Sequence, residues 1–299
     1  MKNILVPTDF SACATDATDA ALALAELTNA HLHLYSRIDI AYNWATLSEK
    51  EKQQDRQSQQ VIHNTERLFE EWAEKARERK VAFSATWSAG RLVENIEQYV
   101  EKYKIDFVVM GSHGASGKNE YFIGSNTQRV VRLVHCPVLI VKEPLEQYDF
   151  NRVVFASDFD EEEKEAFEYF LNFIRPFNPE IHLVSINKSG FFSQPFVLMN
   201  EAMKDFQQMA KGFTTHKHFY KDFSVDAGIR NFSEEIGADL IAISNTQRRP
   251  LKRMLAGSNV EALVNHAEAP VLTIDFALSV KEKQREARKA KRAEQAKSE

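Results

Sequence analysis

The chain has 299 residues, a formal net charge of −5 at pH 7 and 43% hydrophobic residues, which is typical of a globular protein with room for two domains. The mild negative charge argues against a nucleic-acid partner, since general nucleic-acid binding favours a strongly basic face. No apolar run reaches the roughly 18–20 residues of a membrane span, and the first residues resemble a strand rather than a signal peptide. With two cysteines at no metal-ligand spacing, we expect a reduced, cytoplasmic protein without a membrane partner.

Short apolar runs alternate with segments of helical periodicity along most of the chain. In the first half they predict strands near 2–7, 31–36, 81–86, 105–110 and 137–141, and helices near 11–29, 48–79, 91–103 and 125–135. In the second half they predict strands near 152–157, 180–186, 217–221, 238–243 and 270–275, with the second helix near 195–212. This alternation predicts an α/β fold whose parallel strands are joined by right-handed crossovers.

The two halves are copies of one unit. Residues 6–10 (VPTDF) correspond to residues 155–159 (FASDF) at an offset of 149, and residues 137–140 (PVLI) correspond to residues 270–273 (PVLT) at an offset of 133. The second copy is therefore shorter between its second and fourth strands.

The repeat divides the chain into a first domain, 1–143, a second domain, 150–276, and a charged basic tail, 277–299. The tail carries eight Lys or Arg and three Glu between residues 281 and 297. A solvated tail is the simpler interpretation, and electrostatic docking to an acidic partner is the alternative.

A glycine loop follows the fourth strand of the first domain. Residues 107–114 (FVVMGSHG) predict a buried strand that leads into the loop, and Gly124-Ser125 precede the next helix, which Ser125 is placed to cap. A strand, a glycine loop and a helix N-terminus together form a phosphate site. The glycines at 111, 114 and 117 fit neither the P-loop nor the dinucleotide spacing.

A third pattern does fit. Gly111 and Gly114, followed after nine residues by Gly124-Ser125, resemble the ATP-binding motif of the universal stress protein family, and residues 2–9 (KNILVPTD) resemble its first strand and acidic loop. The resemblance implies two tandem, doubly wound, five-stranded parallel sheets of strand order 3-2-1-4-5, a Rossmann-like fold of the adenine nucleotide alpha hydrolase type. It also implies that the domains pair through their last strands as a pseudo-dimer within the chain, and a homodimer of two chains stays open.

The same resemblance implies a site for ATP, with or without Mg²⁺, at the switch point between strands 1 and 4. Pro7, Thr8 and Asp9 would line the nucleoside end, although Asp9 has the alternative of capping the first helix. The ribose and phosphates would be followed by Met110, Gly111, Gly114, Gly124, Ser125, Asn126 and Thr127. His113 lies in the loop, where phosphate contact and simple solvation are both open. Arg37 departs from the family, which usually carries His-Val where this chain has Ser36-Arg37.

The second copy has lost this motif. Ser244 and Gln247 stand where the first copy has Gly111 and Gly114, and a Cβ at these positions would block close approach of the backbone to a ligand. The sequence therefore predicts one nucleotide per chain. Because no catalytic or metal-ligand set is evident, the predicted function is a nucleotide-dependent stress-response regulator with an unidentified protein partner. A slow ATPase or autophosphorylating switch, and a nucleotide-independent interaction scaffold, are the alternatives.

Overall fold

The computed structural model describes residues 1–41, 43–112, 123–134, 136–142, 144, 149–188, 196–245 and 260–275. The charged tail, 277–299, lies outside these ranges. The described strands form one ten-stranded sheet in the order β3-β2-β1-β4-β5-β10-β9-β6-β7-β8. Each repeat thus has the predicted order 3-2-1-4-5, and the two halves form one continuous sheet.

The elements of the two repeats follow one another in the same order, except that the first repeat has one additional helix between its second and third strands. The first repeat contains β1 (Asn3–Thr8), α1 (Ala12–Thr28), β2 (His31–Arg37), α2 (Glu49–Gln54), α3 (Arg56–Glu78), β3 (Phe83–Ser88), α4 (Leu92–Tyr103), β4 (Phe107–Gly111), α5 (Ser125–Leu133) and β5 (Val138–Val141). The second contains β6 (Arg152–Ala156), α6 (Lys164–Ile174), β7 (Glu180–Lys188), α7 (Phe196–Met209), β8 (Thr215–Asp222), α8 (Val225–Ile236), β9 (Leu240–Asn245), the helical residues 260–266 and β10 (Val271–Asp275). Within the described residues, no helix is long and apolar enough to cross a membrane.

Helices cover both faces of the sheet, so the core consists of two layers. In β1, Ile4 and Val6 face one layer with α1, α3, α6 and α7, whereas Leu5 faces the other with α4, α5 and α8. Because successive side chains of a strand point to opposite faces, a strand buried on both sides is apolar throughout. The stripe of Phe69 and Trp72 on α3 is buried in the first layer and belongs to the core.

The two repeats are joined through their last strands. β5 and β10 pair antiparallel, with Ile140 opposite Val271 and Val138 opposite Thr273. The side chains along this joint are almost fully buried, and each large aliphatic side chain buried here contributes about 1.5–3 kcal/mol. The predicted pseudo-dimer within one chain is therefore the observed arrangement.

The long second helix predicted over 48–79 is interrupted. Asp55 ends α2 and is also the N-cap of α3, with φ −91° and ψ 77°. Its carboxylate accepts hydrogen bonds from Ser58 N at 3.0 Å and Ser58 Oγ at 2.7 Å. Capping by Asp55 competes with continuation of the helix, because a residue that caps a helix does not itself adopt helical dihedral angles. The prediction of a single helix was wrong at this point.

Candidate functional site

The candidate site lies between β1 and β4, where the chain leaves the sheet in opposite directions. The two strands pair through Ile4 and Phe107. After β1 the chain enters α1 on one face of the sheet, and after β4 it enters α5 on the other. Such a switch point leaves a crevice beyond the carboxyl ends of the strands. Asp9 and Gly111, which are distant in sequence, therefore lie at the same edge of the sheet.

The turn after β1 is held by hydrogen bonds within the turn. Thr8 Oγ1 accepts from Phe10 N at 3.0 Å, and Asp9 Oδ1 accepts from Ser11 N at 3.1 Å and Ser11 Oγ at 2.6 Å. Phe10 has φ 59°, which is uncommon for a residue other than glycine. The N-cap of α1 is Ser11, which accepts from Ala14 N. Asp9 therefore braces the cap residue instead of capping the helix, and its exposed carboxylate faces solvent at the mouth of the crevice.

Gly111 is required by packing rather than by a sharp turn. Its φ lies outside the left-handed region, and it ends β4 in extended conformation. A Cβ at this position would lie 2.7 Å from the carbonyl oxygen of Cys13 and 2.8 Å from its Sγ. Because Gly111 has no side chain, the first turn of α1 can pack directly against the end of β4.

The N-terminus of α5 faces the same edge. Its N-cap is Gly124, with φ −61° and ψ 144°, and the helix begins at Ser125, so the predicted capping role of Ser125 was wrong. Among the described residues, no side chain caps this helix and no acidic residue lies in its first turn. Ser125 and Asn126 are exposed. The first amides of a helix lack intrahelical acceptors and carry the positive end of its dipole, so this end is suited to an anion.

Thr127 fixes α5 to the end of β4. Its hydroxyl donates to Gly111 O at 2.8 Å and is buried, and Gly124 N donates to Ser112 O at 2.7 Å. The side chain predicted to contact phosphate thus has a structural hydrogen bond. What Thr127 offers an anion is its backbone amide.

Three other predicted site residues have side chains that are placed less favourably for contact with a nucleotide in the crevice. Pro7 and Met110 are buried within their strands. Arg37 donates from Nε to Gly90 O at 3.0 Å and pairs with Asp39 Oδ1 at 3.2 Å. Its guanidinium therefore extends toward the loop after β3, on the side of β2 away from β1.

The loop between β4 and α5 includes His113 and Gly114, which lie outside the described residues. At its far end, Ile123 N donates to Asn265 Oδ1 at 2.5 Å. Lys142 Nζ donates to Asn265 O at 2.6 Å. A residue of the second repeat thus fixes the approach to α5.

The corresponding crevice of the second repeat contains a carboxylate. Glu163 is buried and accepts hydrogen bonds from Ser157 Oγ and Ser244 Oγ, at the ends of β6 and β9, and from Asp160 N at 3.3 Å. Burial raises the pKa of Glu163, and the nearby charge of Asp158 acts in the same direction, against the hydrogen bonds from the two serines. This side chain therefore joins the ends of β6 and β9, the two strands that border this crevice.

Sequence comparison of the motifs alone missed Glu163. At the offset of 149, its counterpart in the first repeat is Ala14. The exchange of Ala14, in the first turn of α1, for an acid directly before α6 is visible once the repeats are aligned. Its meaning depends on where the side chain of Glu163 points.

Comparison with known proteins agrees with this architecture. The chain matches the model of the universal stress protein family over residues 1–142 and 149–275. A universal stress protein of Methanocaldococcus jannaschii is 28% identical over 151 residues, which cover 48% of this chain and 83% of that protein. A solved universal stress protein from Archaeoglobus fulgidus superposes with a TM-score of 0.73 at 22% identity, covering 92% of this chain and 98% of that chain. A putative universal stress protein from Pseudomonas aeruginosa gives 0.66 at 18% identity, covering 92% and 93%.

Proposed function

The chain belongs to the universal stress protein family, and on that premise we propose that it binds one ATP, with or without Mg²⁺, in the crevice of the first repeat. In this proposal the bound nucleotide governs an interaction with a protein partner, so the protein acts as a nucleotide-dependent regulator. The second repeat binds no nucleotide and serves as the structural half of the pseudo-dimer.

The observation that carries this proposal is the contrast between the two crevices. In the first repeat, none of the residues that the structure describes caps the N-terminus of α5 with its side chain, and no acid lies in the first turn of this helix. In the second repeat, Glu163 lies between Ser157 and Ser244. An anionic ligand is attracted to a helix N-terminus and repelled by a buried carboxylate. The same fold therefore favours a phosphate on one side and disfavours it on the other.

The groups of the first crevice suit the two ends of a nucleotide. The carboxylate of Asp9 can accept hydrogen bonds from ribose hydroxyls or the adenine edge, since an ionised carboxylate is a pure acceptor. The backbone amides of Ser125, Asn126 and Thr127 are the donors for phosphate oxygens. These are binding groups, and the proposal needs no covalent step at the phosphate.

The proposal is tested by measuring nucleotide content and stoichiometry. Protein purified without added nucleotide is denatured, the released small molecules are separated, and a stripped sample is titrated with ATP by calorimetry. We expect about one ATP per chain, lost in Gly114→Val and retained in Gln247→Val, the matched substitution in the second repeat. Two equivalent ATP sites in the parent, or the same loss of ATP binding in both variants, would contradict the proposal.

The regulatory part has a separate readout. Capture of partner proteins is compared with and without ATP for the parent and for Gly114→Val. We expect at least one interaction that depends on ATP in the parent alone. An identical set of partners in all four samples would contradict the regulatory role even if ATP binds, and would leave the interaction scaffold as the better account.

A further inference from the structure

A cluster of histidines lies near the amino ends of β7 and β8, at the opposite ends of these strands from the crevice of the second repeat. The two strands run parallel with His182 opposite His216, and β8 is the edge strand of the sheet. The ligand atoms of Glu180, His182 and His216 all lie within 4.8 Å of one another. Glu180 and His216 are exposed, so an ion can reach the cluster from solvent.

His182 has an unsatisfied nitrogen that points into this cluster. Only 10% of its side-chain surface is exposed, and its Nε2 has no hydrogen-bond partner among the residues that the structure describes. The carboxylate oxygen Oε2 of Glu180 is 3.9 Å from Nε2, which is too far for a hydrogen bond. A buried polar atom without a partner destabilises the fold, and a ligand bound to it would remove that penalty.

The other nitrogen of His182 is already held. Its Nδ1 lies 3.0 Å from Nε2 of His218, and one of these two atoms donates to the other. Metal-bound histidines commonly use their second nitrogen in this way, which fixes the ring orientation.

The first repeat shows how the same position is satisfied without an ion. His33 lies opposite Ser84, and Ser84 Oγ is 3.2 Å from His33 Nδ1 and 3.0 Å from His31 Nε2. The second nitrogen of His33, Nε2, is 3.4 Å from Asn3 Oδ1. Both nitrogens of this histidine have partners. In the second repeat the facing position is His216, which brings another metal-binding nitrogen in place of the serine hydroxyl.

We propose that Glu180, His182 and His216 bind one divalent ion of the zinc class, and that His218 orients His182. Two imidazoles and one carboxylate form a ligand set suited to zinc, with a fourth position left for water. Zinc ligands lie about 2.0–2.2 Å from the ion. The two exposed side chains therefore turn inward on binding, while the buried His182 stays in place. The ion would tie the edge strand β8 to β7.

The test uses the full chain, with any affinity tag removed and metals stripped by a chelator. The nucleotide-free protein is titrated with zinc chloride by calorimetry, and we expect one equivalent. His216→Ala, at an exposed position, is expected to weaken binding by about a hundredfold or more, and His218→Ala by about 10- to 100-fold. His33→Ala, the matched change in the first repeat, leaves the affinity unchanged.

A second readout concerns the geometry of the site. Cobalt(II) added to the stripped protein is expected to give the visible absorption of a four-coordinate ion, and zinc is expected to raise the unfolding temperature of the parent. Both effects disappear in His216→Ala. Absence of zinc binding by the parent, or equal zinc binding by the parent, His216→Ala and Glu180→Gln, would overturn the proposal. Neither result depends on whether ATP binds to the first repeat.

Discussion

Replacing Gly111 with alanine adds one methyl group where α1 leaves no room. The added Cβ would lie 2.7 Å from Cys13 O, whereas ordinary van der Waals contact begins at 3.4 Å. The obstructing atom belongs to the backbone, so it cannot turn aside as a side chain does, and the first turn of α1 must retreat by about 0.7 Å. Overpacking of this kind costs about 1–3 kcal/mol. We expect Gly111→Ala to lower the free energy of unfolding by about 2 kcal/mol.

The assay is urea unfolding followed by circular dichroism, with linear extrapolation to water. Cys13→Ala in the same background removes the contact with Sγ but leaves the contact with the carbonyl oxygen, so it should restore less than half of the loss. Gly212→Ala is the control. Gly212 has φ +107° with nothing within 4 Å of an added Cβ, so this variant carries backbone strain of about 1–2 kcal/mol without overpacking.

The same variants separate packing from ligand binding. Retreat of α1 displaces the turn that carries Asp9, so we expect Gly111→Ala to weaken ATP binding at least tenfold while Gly212→Ala leaves it unchanged. A loss of unfolding free energy below about 0.5 kcal/mol in Gly111→Ala would refute the packing argument, because surface substitutions alone fall in that range. Lost stability with unchanged affinity would refute the link between this contact and the site.

Three further outcomes are expected. Ala14 is buried, so Ala14→Glu places the acid of the second repeat at a position with little solvent and should weaken ATP binding by about 1–4 kcal/mol through charge repulsion. Ala14→Gln should retain more affinity in calorimetry, and equal losses would exclude a charge effect. Burial lowers the pKa of His33 to about 4 from 6.5, so the unfolded chain binds more protons between these values and the free energy of unfolding falls as pH drops from 6.5 to 4. This decline should be shallower in His33→Gln across urea titrations at several pH values, and a parallel decline would argue against the assignment. Asp55→Ala removes the cap of α3 and should lower the free energy of unfolding by about 1 kcal/mol in thermal unfolding, whereas Asp55→Asn should keep most of the stability that the cap provides. A larger loss of stability in Asp55→Asn than in Asp55→Ala would contradict the capping geometry.

The sheet was predictable because its signals are periodic and repeated. Apolar runs mark the strands, and two copies of one pattern mark the repeats. Pairing of the two halves through their last strands was predicted from the family resemblance, and the observed pairing of Leu139 with Leu272 confirms it. The antiparallel direction of this pairing comes from the structure. The break at Asp55 was missed because its capping bond to Ser58 is a local competition that hydrophobic periodicity does not register.

The site was predictable in position and less so in detail. The edge shared by Asp9 and Gly111 follows from strand order, but the reason for the glycine, its contact with Cys13, exists only after α1 has packed. Glu163 and His182 were missed for a related reason. The role of each depends on residues of other strands that lie beside it in the fold. The spacing of residues in the sequence does not show how those strands align.

The antiparallel joint between β5 and β10 has a consequence for how this protein could change over time. It places the carboxyl ends of the two sets of strands at opposite edges of the sheet, as a two-fold axis would. In a dimer of identical chains every substitution appears twice, so a residue that closes one crevice closes both. In a single chain the two halves are encoded separately, so one half can carry Glu163 at the position where the other carries Ala14. Because the two repeats are parts of one chain, a substitution in one need not occur in the other. One repeat can therefore acquire a different site while the other keeps the shared sheet intact.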